Sequence, residues 1–182
     1  MSEDHRSPVA GHGTEGASAW VVRWADRVSP GGPVLDLASG RGRHARFFAA
    51  RGHPVEAVDR DPAALKALAG APGVTTRGAD LEGGSWPYEA QTFAGIVVTN
   101  YLHRPLFPRL LAALAEGGVL IYETFARGNE RYGRPSNPDF LLAPGELLEV
   151  VRGKLRVVAY EDLYIEDPRP AMVQRIVAIR EG

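Results

Sequence analysis

The residues placed to do chemistry begin with Val34-Leu35-Asp36-Leu37-Ala38-Ser39-Gly40-Arg41-Gly42. Its first four residues read as a short buried strand, which ends in a small residue and a serine and then breaks into a glycine turn. A helix pattern follows at once, Arg43 to Arg51, stopped by Gly52. Strand, glycine turn and helix open a βαβ unit that brings backbone close to a nucleotide-like ligand. A second strand, Pro54 to Val58, ends in Asp59 with Arg60 beside it. An acid at that strand end accepts hydrogen bonds from a ribose.

A second group of candidates lies further along. The strand Phe93 to Thr99 runs into Asn100-Tyr101-Leu102-His103-Arg104. These residues leave the carboxyl end of a central strand, where open α/β sheets bind ligands. The apolar strand Val119 to Tyr122 likewise ends in polar residues, Tyr122-Glu123-Thr124. The stretch 125–142, FARGNERYGRPSNPDFLL, is long for a connection, and such loops are functional or disordered. Arg127, Arg131 and Arg134 are interleaved there with Asn129, Tyr132 and Asn137. One reading is a lid over a substrate, its arginines suited to a carboxylate or another anion. The competing reading is a solvated loop held down by Phe125, Phe140 and Leu141.

The elements that position these residues follow from periodicity. Ala17 to Val28 reads as a helix, with Trp20, Val21, Trp24 and Val28 on one face. Arg23 reads as a solvated residue on its outer face or as a contact for a ligand carboxylate, and His44 as a residue on the surface of the helix after the glycine turn or as one facing a bound ligand. Asp61 caps a helix from Pro62 to Ala69, with proline at the first helical position. Val74 to Thr76 is a short third strand leading to Gly78-Ala79-Asp80-Leu81. Pro105 to Ala115 is a helix with Leu110, Leu111 and Leu114 inward and Gly117-Gly118 as its stop. Pro144 to Arg152 is another helix. Leu155 to Ile165 and Ala171 to Ile179 close the chain as a β-hairpin, with Glu161 and Asp162 marking a bulge or an edge. Strands alternating with helices imply a parallel, doubly wound α/β sheet, because right-handed crossovers place helices on both faces. Residues 1–16 read as a flexible N-terminal arm carrying His5 and His12, and 17–182 as one domain.

Composition narrows the function classes. The chain has 182 residues, 45% of them apolar, with a net charge of −1, which gives no general attraction to nucleic acid. It has no cysteine, so disulfides, thiolate metal sites and a cysteine nucleophile are excluded. No metal cluster is evident, no apolar run has the roughly 20 residues needed to span a bilayer, and the N-terminus lacks a signal-peptide core. A cytoplasmic protein is the default expectation.

VLDLASGRGRHARFFAARGHPVEAVDRDPAAL resembles the first two motifs of class I S-adenosylmethionine (SAM)-dependent methyltransferases. Asp36 and Asp59 stand at the two strand ends where that family places acids. The resemblance runs from about Val34 to the C-terminus and is nearest to small bacterial methyltransferases of the tellurite-resistance type. It implies a Rossmann-like sheet of seven strands, order 3-2-1-4-5-7-6, with the last strand antiparallel. It implies SAM as cofactor, bound by Asp36, Ala38, Gly40, Gly42, Asp59, Arg60, Asp80, Leu81, Asn100 and Tyr101. Asp80 matches the acid that receives the adenine amino group, against the plainer reading of a loop acid capping a turn. Ala94 stands where the family often has an acid. The expected reaction is methyl transfer to a small-molecule acceptor, an anionic one on the reading of the loop arginines, with His103 and Tyr101 as catalytic candidates. His103, Arg104, Tyr122, Arg127, Asn129 and Arg134 are the acceptor-binding candidates. Two other readings stay open. Gly40 to Ala45 satisfies the loose GxGxxA pattern of a nicotinamide-dependent oxidoreductase, and a non-catalytic SAM-binding module would keep the same motifs.

Overall fold

Hydrophobic alternation along the strands sorts their side chains onto two faces of one sheet. Leu35 and Leu37, Ile96 and Val98, Leu120 and Tyr122 enter one core cluster, while Val34, Val97, Val119 and Ile121 enter the other. The computed structural model describes residues 16–182; the expected arm, with His5 and His12, lies almost wholly outside them. The strands are β1 (Val34–Leu37), β2 (Val55–Asp59), β3 (Val74–Gly78), β4 (Phe93–Thr99), β5 (Leu114–Phe125), β6 (Arg156–Ile165) and β7 (Ala171–Ile179). Their order is β3-β2-β1-β4-β5-β7-β6. Pairs from β3 through β5 are parallel, and β7 runs antiparallel to both β5 and β6.

Helices α1 (Ala19–Trp24) and α2 (Arg43–Ala50) cover one face through Trp20, Val21, Ala45 and Phe48. Helices α4 (Phe107–Ala112) and α5 (Glu146–Val151) cover the other through Leu110, Leu111, Leu147 and Val151. Burying each of the valine, leucine and phenylalanine side chains among them stabilises the fold by about 1.5–3 kcal/mol. Between β2 and β3, α3 (Pro62–Lys66) starts as expected, with Asp61 Oδ1 accepting from the Ala63 N–H at 2.9 Å. A satellite cluster of Phe125, Leu141, Ala171 and Val173 lies under the segment 126–143.

Several boundaries differ from the sequence reading. The expected helix Ala17–Val28 narrows to α1 plus a 3₁₀ turn, Ala25–Arg27. The expected helix Pro105–Ala115 divides into a 3₁₀ turn, Arg104–Leu106, and α4, because Pro105 and Pro108 each favour a fresh helix start. Gly117-Gly118 does not stop a helix. It sits within β5, where pairing to β4 skips from Phe93–Leu114 to Gly95–Val119. A Cβ on Gly118 would lie 2.7 Å from Ala115 O and 2.9 Å from Phe93 O, so the irregularity needs glycine.

Candidate functional site

The carboxyl ends of β1, β2, β4 and β5 form one rim. At the end of β1, Ala38 and Gly40 have φ of 53° each and Gly42 has 75°, all in the left-handed region. Only glycine enters that region without penalty, so Ala38 marks backbone held there by its surroundings. Gly42 lets α2 pack closely, since a Cβ there would meet Leu68 Cδ2 at 2.3 Å. Gly40 differs: a Cβ there would meet nothing within 4 Å, so the turn faces open space.

Asp59 fastens this turn to β2. Its Oδ2 accepts from the Gly40 N–H at 2.8 Å and its Oδ1 from the Asp61 N–H at 2.9 Å. A carboxylate has about four acceptor positions, so both oxygens keep lone pairs for a ligand. Asp80 is arranged alike. Its Oδ1 accepts from Glu82 N–H (3.0 Å) and Gly83 N–H (3.1 Å), which hold its pKa below the ordinary value. The turn-capping reading of Asp80 therefore describes Oδ1, while Oδ2 accepts no hydrogen bond among the described residues. Arg60 and His103 both act electrostatically on Asp80, which brings the loops after β2, β3 and β4 together; Leu81 is buried behind them.

Asp36 is buried at 2% exposure and accepts from the Ala45 N–H at 2.9 Å. Burial pushes its pKa up to about 8, against the pull of the Ala45 amide and of Arg43. Ser39 Oγ is buried and has no hydrogen-bond partner among the described residues. Asn100 repeats the backbone strain of Ala38 at the end of β4, with φ of 54°, and its N–H donates to Glu123 O at 2.9 Å. Two left-handed non-glycine residues thus flank the point where the strand order reverses, the place where open α/β sheets bind ligands.

The acceptor candidates divide. Arg104 does not face outward with free donors. It gives Nε to Glu146 Oε1 (2.6 Å), Nη2 to Glu146 Oε2 and Leu141 O (3.0 Å each) and Nη1 to Asp139 O (2.8 Å). Tyr122 is buried at 1% exposure, and its hydroxyl donates to Tyr101 O at 2.7 Å. Asn129 is buried at 2%; its Nδ2 donates to Pro135 O at 2.9 Å and its Oδ1 accepts from Met172 N–H at 3.2 Å. All three tie the protein to itself. Burial, with the Glu82 carboxylate nearby, pushes the Tyr101 phenol up, so it does not serve as a base near neutral pH. His103 stays half-buried at the rim, and Arg127 and Arg134 are exposed, their side chains making no hydrogen bond or ion pair among the described residues.

The expected surface position of His44 is wrong. It is buried at 2% exposure, its Nε2 accepting from the Ser18 N–H at 3.1 Å and its Nδ1 lying 3.4 Å from Thr99 Oγ1. Burial and Arg43 push its pKa down to about 3, which keeps it neutral and able to accept. Ser18 Oγ donates to Glu123 Oε1 at 2.6 Å, and Arg175 donates to Glu123 Oε2 at 2.9 Å and to Glu161 Oε2 at 2.7 Å. Sequence reasoning gave Ser18 and Arg175 no role. The available signal was Glu123, an acid inside a strand otherwise fit for full burial, which requires a charged or hydroxylic partner.

Residues 34–118 match the family model described as a methyltransferase domain. TehB from Haemophilus influenzae has a TM-score of 0.76 at 18% identity, over 91% of this chain and 63% of TehB. The chain thus spans less than two thirds of TehB's length. A TehB-like SAM-dependent methyltransferase from Corynebacterium glutamicum has a TM-score of 0.63 at 21% identity, over 89% and 88% of the two chains. The glycopeptide N-methyltransferase MtfA, solved with S-adenosylhomocysteine, has 0.62 at 21%, over 88% of each. No curated protein matches the chain. Residues 34–118 thus carry the methyltransferase-domain pattern, and the seven-stranded sheet has the fold of the SAM-dependent methyltransferases it resembles. Its sheet order is not the 3-2-1-4-5-6 of dinucleotide-binding dehydrogenases, so the nicotinamide reading is not favoured. Among the described residues no helix is long and apolar enough to cross a membrane, and no group of metal-ligating side chains is found.

Proposed function

We propose that the chain transfers the methyl group of SAM to a small-molecule acceptor that enters between His103 and the segment 126–143. The observation that carries this reading is the Gly40 turn. It faces open space, is held by Asp59, and stands beside the Ser39 hydroxyl, which has no partner among the described residues. Asp59 keeps lone pairs for ribose hydroxyls, and Asp80 Oδ2 suits the adenine amino group. Ala38, Gly40 and Gly42 shape the turn, Asn100 and Tyr101 offer backbone to the methionine part, and Leu81 and Arg60 wall the adenine end.

SAM supplies a methyl group already activated on a sulfonium, whose positive charge is lost as the methyl leaves. The acceptor's lone pair forms the new bond to the methyl carbon while the carbon–sulfur pair stays on sulfur, giving S-adenosylhomocysteine. No acid is needed for the leaving group, so the protein's tasks are alignment and exclusion of water. His103 is the side chain suited to take a proton from the acceptor, since the Tyr101 phenol is pushed up and Tyr122 is engaged with backbone. Arg127 and Arg134 support an anionic acceptor.

Calorimetric titration with SAM, S-adenosylhomocysteine and NADH tests this. Micromolar binding of the first two and none of NADH is expected. Binding of NADH alone would return the glycine turn to the oxidoreductases.

A further inference from the structure

The most densely bonded side chain on the rim is one that the proposed chemistry leaves unused. Arg104 follows His103 directly, and its guanidinium makes four hydrogen bonds to the segment ending at α5. Glu146, its carboxylate partner, also accepts from the Ala143 N–H at 2.7 Å. One planar group thus joins the loop after β4 to residues 35 to 42 positions further along the chain. The loop itself is held from the other side, at Tyr101 O by Tyr122 and at Asn100 N–H by Glu123 O.

The segment 126–143 has a second, independent anchor in Asn129, which binds Pro135 O and Met172 N–H. Its first half therefore rests on Asn129 and β7, and its second half on Arg104. A lysine cannot take over the latter task, because an ammonium lacks the planar fork that reaches a carboxylate and two carbonyls together.

We propose that Arg104 is a positioning residue that couples the two sides of the site: a donor settling against Asn100–His103 orders residues 137–146 through the Arg104–Glu146 clasp. Donor binding is thereby transmitted to the acceptor side through one guanidinium. This rests on the donor site proposed above, and its arms separate the two ideas.

The test is hydrogen exchange on the full chain, with and without S-adenosylhomocysteine, for wild type, Arg104→Lys and Glu146→Gln, beside calorimetry of the same ligand. The ligand should bind all three within about threefold. It should slow exchange at 137–146 in wild type. In both variants that slowing should vanish while slowing at 39–45 and 100–103 remains. A clasp that only holds the fold together would instead speed exchange equally in the free and bound states and leave the ligand-induced difference intact, which overturns the proposal. Binding to wild type without slowing at 137–146 also overturns it. No binding to wild type overturns the donor site itself, and the coupling with it.

Discussion

At the proposed donor side, Asp59 and Asp80 each hold two backbone amides with part of their acceptor capacity and have lone pairs to spare. At the acceptor side, Arg104, Tyr122 and Asn129 give their polar atoms to the protein itself. The difference shows what a motif encodes. On the donor side a residue's role follows from its place at a strand end, and the strand end is fixed by local pattern. On the acceptor side it depends on partners tens of residues away, so residue type alone does not separate a ligand contact from an internal tie.

The largest effect expected from breaking this contrast lies at Asp36, a donor-side acid buried against its own charge. Its pKa rises from an ordinary 3.8 to about 8 on folding. Below 3.8 both states are protonated and its contribution is complete. As pH rises the unfolded chain releases the proton first, so stability falls until the folded group ionises near 8. Asp36→Asn retains an oxygen for the Ala45 amide and cannot ionise. Urea midpoints across this window should decline by on the order of a few kcal/mol in wild type and stay flatter in the variant. Parallel profiles would show that Asp36 is ionised at neutral pH.

The two glycines of the turn sharpen the contrast within the donor side. Gly42→Ala drives a methyl into Leu68 and strains φ, and should cost about 3 kcal/mol of stability. Gly40→Ala meets open space and should cost only about 1 kcal/mol, while the methyl stands where the donor must approach. Thermal melts with S-adenosylhomocysteine titrations separate them: Gly40→Ala should lose binding out of proportion to stability. A Gly40→Ala protein that binds normally would move the donor away from this turn.

A matched pair across the rim comes next. Asp59→Ala should weaken S-adenosylhomocysteine binding by roughly 1.5–3 kcal/mol, through lost charge-assisted hydrogen bonds. Asn129→Ala should leave that affinity alone and cost about 1–3 kcal/mol of stability, because Pro135 O and Met172 N–H lose their partner in a buried place. If Asn129→Ala changed donor affinity instead, the division between the two sides would be wrong.

The donor side was legible because its signals are local. A run of buried residues, VLDL, gives β1, and the glycine spacing and Asp59 follow within the same βαβ unit. The family resemblance then supplied the strand order, which periodicity alone does not fix. Three kinds of feature were not legible. Gly117-Gly118 carries the signature of a helix stop and of a strand irregularity alike, and only pairing with Phe93 decides. His44 lies at an outward helical position by periodicity, yet Ser18 from 26 residues earlier buries it. Arg104 looks like an anion-binding side chain until α5 places Glu146 against it.

The smallest effect on the fold belongs to the arginines that remain exposed. Arg127 meets the Glu146 carboxylate only at long range, and Arg134 has no side-chain partner among the described residues. Exposed side chains without partners contribute little, so Arg127→Ala with Arg134→Ala should shift stability by less than about 0.5 kcal/mol. S-adenosylhomocysteine affinity should hold as well, since neither residue lies on a strand end of the donor side. Acceptor KM should rise in the double variant, and more for an anionic acceptor than for a neutral analogue. Unchanged acceptor kinetics would leave the segment 126–143 as a surface held by Asn129 and Arg104, and would place acceptor recognition at His103 and the rim beside it.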